Sequence, residues 1–325
     1  MLYPLTHPQK RIWYIEKMYP ATSVNNIGGT VRIKGEIHPE LMEKAINSFI
    51  AANDAIRLRF VEIDSEAKQY IYGYEYVNID IFDFSENVKP ETTFNSWVDK
   101  QAQTPFNLEN NNLFYFALFK VHENDYGYLV KLHHIICDGW SVQLMTRQIC
   151  QTYANLLNGT AISNDKKPSY IQYIRKEGKY LRSDKFVRNK EYWINKLNLL
   201  PDKLSIRNSK SIAGKRKTYD LGLQISKEIR TYIKSVNISL NTFFASAFLI
   251  YLCLVEQKND IIIGIPVLNR SGAMEKSIVG MFTSTMPLRM NINIDNSVND
   301  FIESTNSEIM KCFYNQKYPY DLLLQ

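Results

Sequence analysis

The hydrophobic pattern of the first half alternates between helical and strand periods. Gln9 to Met18 has helical spacing, and Pro39 to Ala52 repeats it with Leu41, Met42, Ala45, Ile46, Phe49 and Ile50 on one face. Gly28 to Ile33 is β-branched and predicts a strand. Arg59 to Tyr72 predicts a strand pair turning at Asp64-Ser65-Glu66, and Phe94 to Ala102 a further helix. Leu113 to Val121 and Tyr126 to Ile136 predict a hairpin over His122-Glu123-Asn124-Asp125, followed by an amphipathic helix from about Val142 to Leu157.

A small, polar stretch, Asn158 to Pro168, breaks this pattern and reads as a linker. Beyond it, Tyr170 to Leu197 predicts one long charged helix. Ile225–Val236, Asn241–Glu256 and Val298–Phe313 predict further helices, and Asp260–Val267 and Thr285–Ile292 predict strands. The expectation is an α/β (α+β) chain of two lobes, residues 1–160 and 161–325, since one core stops growing near roughly 250–300 residues.

Composition adds limits. The chain is 45% hydrophobic, 22% charged and 13% aromatic, which suits packed cores and excludes disorder. The net charge of +6 is spread out. Its densest basic run, Lys210, Lys215, Arg216 and Lys217, is diluted by Ser, Gly and Ala and reads as a solvated loop rather than a nucleic-acid patch. Cys137, Cys150, Cys253 and Cys312 have no metal-like spacing; three lie in apolar runs as buried free thiols, implying a reducing compartment. No signal peptide is visible, and the most apolar segment, Phe243–Val255, is too short for a bilayer of ~30 Å. The expectation is a cytoplasmic protein with no membrane segment.

Chemistry concentrates in His133-His134-Ile135-Ile136-Cys137-Asp138-Gly139-Trp140-Ser141, which holds two of the chain's five histidines at the end of a predicted strand. Neighbours on a strand point to opposite faces, so one imidazole can enter a cleft while the other packs inside. Gly139 permits close approach to the backbone, and Ser141 is a candidate helix cap. No nucleophile elbow accompanies the pair. The remaining histidines, His7, His38 and His122, lack zinc spacing, so no metal is expected.

The motif His-His-x-x-x-Asp-Gly-Trp-Ser resembles the signature of condensation domains of nonribosomal peptide synthetases, relatives of chloramphenicol acetyltransferase. Five further stretches are similar to that family's motifs, in its order. They are Thr6-His7-Pro8-Gln9-Lys10-Arg11-Ile12-Trp13, Ile56-Arg57-Leu58-Arg59-Phe60, Tyr170-Ile171-Gln172-Tyr173, Gly280-Met281-Phe282-Thr283-Ser284-Thr285 and Asn315-Gln316-Lys317-Tyr318-Pro319-Tyr320-Asp321. Gln172 stands where the family has an acid, and Ser284 where it usually has Asn. The family's last motif and final strands are missing, so the resemblance implies a C-terminally truncated piece of a multidomain enzyme.

The resemblance implies two acetyltransferase-like lobes in a V-shaped pseudo-dimer, each a mixed sheet with flanking helices. It implies amide-bond formation between a donor acyl or peptidyl thioester and an acceptor aminoacyl thioester. Both ride on phosphopantetheine arms of peptidyl carrier domains that enter from opposite faces, with an adenylation domain nearby. No cofactor is bound directly, and the domain is monomeric within its synthetase. The alternatives are a stand-alone acyltransferase using coenzyme A thioesters and a catalytically silent carrier-docking module. By the same resemblance His134 is the catalytic imidazole, His133 its support, and Gly139 an oxyanion donor. Asp138 becomes a buried ion-pair partner, with Arg270 as first mate and Arg57 as second. Trp140 and Ser284 border the substrate cleft, while Trp13, Phe60 and Phe282 read as core.

Overall fold

The computed structural model describes residues 1–161, 167–201 and 217–324. The middle of the expected linker and most of the basic run, Lys210 to Arg216, lie outside the described residues. In chain order the elements are β1 (Tyr3–Pro4), α1 (His7–Met18), β2 (Asn26–Lys34), α2 (Pro39–Ala52), β3 (Leu58–Ile63), β4 (Glu66–Ile71), β5 (Asp80–Asp83), α3 (Pro90–Gln103), β6 (Phe114–His122), β7 (Asp125–His133) and α4 (Gly139–Leu157). There follow α5 (Tyr170–Tyr180), α6 (Asp184–Lys196), α7 (Gly222–Ser235), α8 (Leu240–Glu256), β8 (Asp260–Val267), α9 (Gly272–Ser277), β9 (Ser284–Asn291) and α10 (Val298–Tyr314).

The expected helix Tyr170–Leu197 is two helices. It breaks at Leu181–Ser183, where the Ser183 hydroxyl caps α6 by accepting from the Phe186 N–H. A Ser-Asp pair is a strong helix start and outweighs the apolar periodicity running through it. Nor does the chain divide at residue 160. One compact unit is Met1–Arg182 with Leu268–Thr283, and the other is Ser183–Val267 with Ser284–Gln325. α5 therefore belongs to the first unit, its buried Tyr170, Ile171, Tyr173 and Ile174 joining that unit's core.

The first unit holds a four-stranded sheet in the order β2-β7-β6-β5 and a three-stranded sheet β1-β4-β3. β5 runs parallel to β6, and the other pairs are antiparallel. β7 is central, in unbroken register with β2 from Asn26↔His133 to Lys34↔Asp125. Alternation sorts β6 and β7 by face. Phe116, Leu118, Tyr128, Val130 and Leu132 enter the main core with Met145 and Ile149 of α4, whereas Phe119, Val121 and Leu129 pack with Phe94 of α3. Trp13, Phe60 and Phe282 are buried in the main core.

The returning segment Leu268–Thr283 is locked to this unit at Gly280. Its φ is +154°, and a Cβ there would lie 2.3 Å from the Tyr170 ring. A side chain at this position would expel that ring. The second unit pairs β8 with β9 antiparallel from Asp260↔Asn291 to Val267↔Ser284. Its core draws on Trp193, Leu249, Ile261, Ile265, Leu288, Phe301 and Ile309. Among the described residues no single helix is long and apolar enough to cross a membrane.

Candidate active site at the end of the central strand

β7 stops at His133, three residues before its expected end. The chain turns there because its hydrogen bonds leave the ladder. His133 N–H donates to Leu113 O (2.9 Å), His134 N–H to Asn25 O (2.8 Å) and Ile136 N–H back to His133 O (3.1 Å). The two histidines thus differ through a turn rather than through strand alternation. His133 is buried and His134 half-buried.

Hydrogen-bond partners assign both tautomers. His133 Nδ1 accepts from the Ile135 N–H (3.2 Å), so its ring hydrogen sits on Nε2 and points to Glu16 Oε1 (3.1 Å). His134 Nδ1 lies 2.8 Å from the Cys137 carbonyl, which only accepts. Nδ1 therefore carries a hydrogen, and in the neutral ring the lone pair is on Nε2.

α1 supplies the support beneath this turn. Its buried face carries Gln9 and Glu16 seven residues apart, with Ile12 and Trp13 between them. Gln9 closes a capping box with Thr6 and donates from Nε2 to Ile135 O (3.2 Å). Glu16 accepts from His133 and from Asn25 Nδ2 (2.6 Å). Burial alone would push the Glu16 carboxyl up, but the hydrogen bonds from His133 and Asn25 outweigh it and hold its pKa below the usual range. Glu16 and Asn25 are site residues that the motif does not announce. The signal available was a carboxylate on the helix face that carries Ile12 and Trp13.

Asp138 has no exposed surface and saturates both oxygens. Oδ1 accepts from the Ser141 N–H (2.8 Å), Ser141 Oγ (2.8 Å) and Arg270 Nη2 (2.9 Å). Oδ2 accepts from Arg270 Nη2 (3.0 Å), the Phe282 N–H (3.1 Å) and Thr283 Oγ1 (3.3 Å). Asp138, not Ser141, caps α4. Ser141 sits at the third helical position and accepts from the Gly280 N–H (3.0 Å). Arg270 donates onward to Glu275 O and Ile278 O, both at 2.6 Å, and its guanidinium lies 3.8 Å from the centre of the Phe282 ring.

Arg57, the second mate expected for Asp138, is committed elsewhere. Its N–H groups go to the carbonyls of Ile50 (3.2 Å), Tyr72 (2.6 Å) and Ala51 (3.4 Å). Trp140 Nε1 donates to Lys276 O at 2.8 Å, which ties it to the returning segment. Ser284 lies buried at the start of β9 in the second unit, opposite Val267.

Gly139 opens α4 and is exposed, and a Cβ added there would meet no atom within 4 Å. Neither its backbone conformation nor protein packing demands glycine. The missing side chain keeps the positive end of a 19-residue helix accessible. Among the described residues no group of three or more His, Cys, Asp or Glu side chains could hold a metal ion.

A mixed α/β scaffold with an imidazole at a strand end and a capped, pinned helix start behind it defines the class, and the chain belongs to the condensation-domain family, whose model matches residues 1–325. It is 33% identical to surfactin synthase subunit 1 of Bacillus subtilis over an alignment 329 positions long that covers 99% of this chain and 9% of that protein. It is 32% identical to a plipastatin synthase polypeptide of the same organism, over 99% of this chain and 13% of that polypeptide. The chain thus spans roughly a tenth of the length of these relatives. Among solved structures it matches a mutant starter condensation domain of rhizomide synthetase with TM-score 0.89 at 24% identity, covering 99% of this chain and 73% of that one. It matches the first condensation domain of the calcium-dependent antibiotic synthetase with TM-score 0.89 at 19% identity, covering 99% and 76%.

Proposed function

We propose that this chain forms amide bonds by acyl transfer, joining a donor acyl or peptidyl thioester to the amine of an acceptor aminoacyl thioester. The observation that carries this reading is the fixed tautomer of His134, whose Nδ1 hydrogen is spent on Cys137 O while Nε2 stays free on a half-buried ring. An imidazole held this way takes a proton from the acceptor nitrogen, either from its ammonium form before attack or as the C–N bond forms, or it positions the free amine by hydrogen bonding. The amine nitrogen bonds to the thioester carbonyl carbon, the tetrahedral intermediate collapses, and the thiolate leaves with a proton. The Gly139 N–H at the start of α4 is a backbone candidate for the developing oxyanion. His133, Glu16 and Asn25 hold the turn, and Asp138 with Arg270 holds the helix start.

The donor and acceptor are proposed to arrive on phosphopantetheine arms of carrier domains in a synthetase that also contains an adenylation domain. The relatives are peptide synthetase chains many times longer than this one. No cofactor takes part in this scheme beyond those arms. A donor on coenzyme A is the second reading, since the rhizomide starter domain was solved with C8-CoA and Leu-SNAC.

The test is a transfer assay with donors loaded on carrier domains, repeated with coenzyme A thioesters. Product from carrier-bound donors, falling at least ~100-fold in His134→Ala, is the expected result. Turnover only with coenzyme A donors selects the second reading. Carrier binding without turnover would leave a docking module.

A further inference from the structure

A cleft of about 280 Å³ in the first unit lies beside β3 and takes no part in the scheme above. Arg57, Arg59, Tyr72, Glu75, Asn78 and Asn112 are among the residues that line it. Arg59 is 8% exposed, yet its Nη1 is buried without a hydrogen-bond partner. One face of its guanidinium lies over the Tyr72 ring, 4.8 Å from the ring centre. Arg57 spends its N–H groups on backbone carbonyls. Neither arginine makes an ion pair among the described residues. Burial disfavours the charge of both.

A buried guanidinium without a directly bonded counter-ion costs several kcal/mol unless something supplies acceptors and negative charge. Water supplies an acceptor but no charge. The nearby acids are Glu75, whose charge acts on Arg59, and Asp54, whose charge acts on Arg57, and Glu75 Oε1 is held by the Tyr72 hydroxyl at 3.1 Å. The planar donor edge of Arg59, the second cation of Arg57 and the amides of Asn78 and Asn112 match the needs of a small oxyanion. The aromatic stack fixes the guanidinium plane, so the edge that would meet the ligand is pre-oriented.

We propose that this cleft is an oxyanion-binding site, taking a phosphate or carboxylate group on Arg59 with Arg57 as the second positive charge. The site is independent of the acyl-transfer reading and uses none of its residues. Inorganic phosphate and acetate are the two probes, titrated calorimetrically at constant ionic strength with chloride as the background anion. Phosphate as the tighter ligand assigns a phosphoryl group, and acetate a carboxylate. Arg59→Met should weaken the preferred anion by about tenfold or more, the scale of a lost charge-assisted hydrogen bond. Glu75→Gln, which leaves both guanidiniums in place, should tighten it several-fold and remains readable if Arg59→Met fails to fold. No saturable binding of either anion, or affinities unchanged in Glu75→Gln, would overturn the proposal.

Discussion

Four residues separate His134 from Asp138, and the two ends of this short segment are built on opposite terms. At the histidine end a half-exposed ring makes one fixed hydrogen bond and keeps a nitrogen open. At the aspartate end six hydrogen-bonding contacts surround a carboxylate with no exposed surface, and a buried arginine closes the network. A site must leave some valence unspent, whereas a structural charge inside a core must spend all of it. In the proposed scheme the first end does the chemistry, while the second holds α4 and the returning segment together.

The sharpest way to break this contrast is Arg270→Met. Removing one partner of a buried pair costs about 3–5 kcal/mol, so calorimetry should show Tm falling by about 10 °C. A variant that melts within about 2 °C of the parent would mean that Asp138 is not held as a buried charge. His134→Ala is the complementary change. Its loss of at least ~100-fold in rate corresponds to about 2.7 kcal/mol of barrier, with Tm nearly unchanged because little packing is lost. Should its stability fall as far as that of Arg270→Met, the division of roles fails.

Gly139→Val probes the open ground between the two ends. The added side chain meets no protein atom at its Cβ, so the fold should persist while turnover drops roughly tenfold through steric exclusion of substrate. Normal turnover in steady-state kinetics would remove the backbone there from the proposed mechanism.

The smallest expected effect is at Glu16. Its folded pKa is lowered from 4.5 by hydrogen bonds that overcome burial. A depressed carboxyl contributes stability that is present above its unfolded pKa and is lost as pH falls through the folded value. Glu16→Gln should therefore melt lower than the parent at pH 7, by under about 1 kcal/mol of stability. The gap should close on acidification below pH 4.5. A gap of constant size from neutral to acid pH would show that ionisation of Glu16 contributes nothing.

Much of this contrast was legible along the chain. The His-His-x-x-x-Asp-Gly order and its flanking motifs marked both ends, and α2 and β8 fall on the residues that their periodicity predicts. Other features escaped for definite reasons. β5 is four residues long and pairs in parallel with a strand distant in sequence, so no local alternation reveals it. The split between α5 and α6 depended on a cap whose strength competes with an uninterrupted apolar stripe. The first unit's claim on Leu268–Thr283 arises from contacts such as Gly280 against Tyr170, which are far apart along the chain.

By itself the sequence determined most element types, many of the buried faces and the family, because period, turn chemistry and motif order are local properties of a chain. Tertiary structure alone decided which arginine meets Asp138, which nitrogen of each histidine carries its hydrogen, and that Glu16 and Asn25 stand behind them. Those are decisions about partners, and a partner is set by distance in space. Two arginines of equal charge were candidates for Asp138. The core brought Arg270 to 2.9 Å and turned Arg57 toward backbone carbonyls.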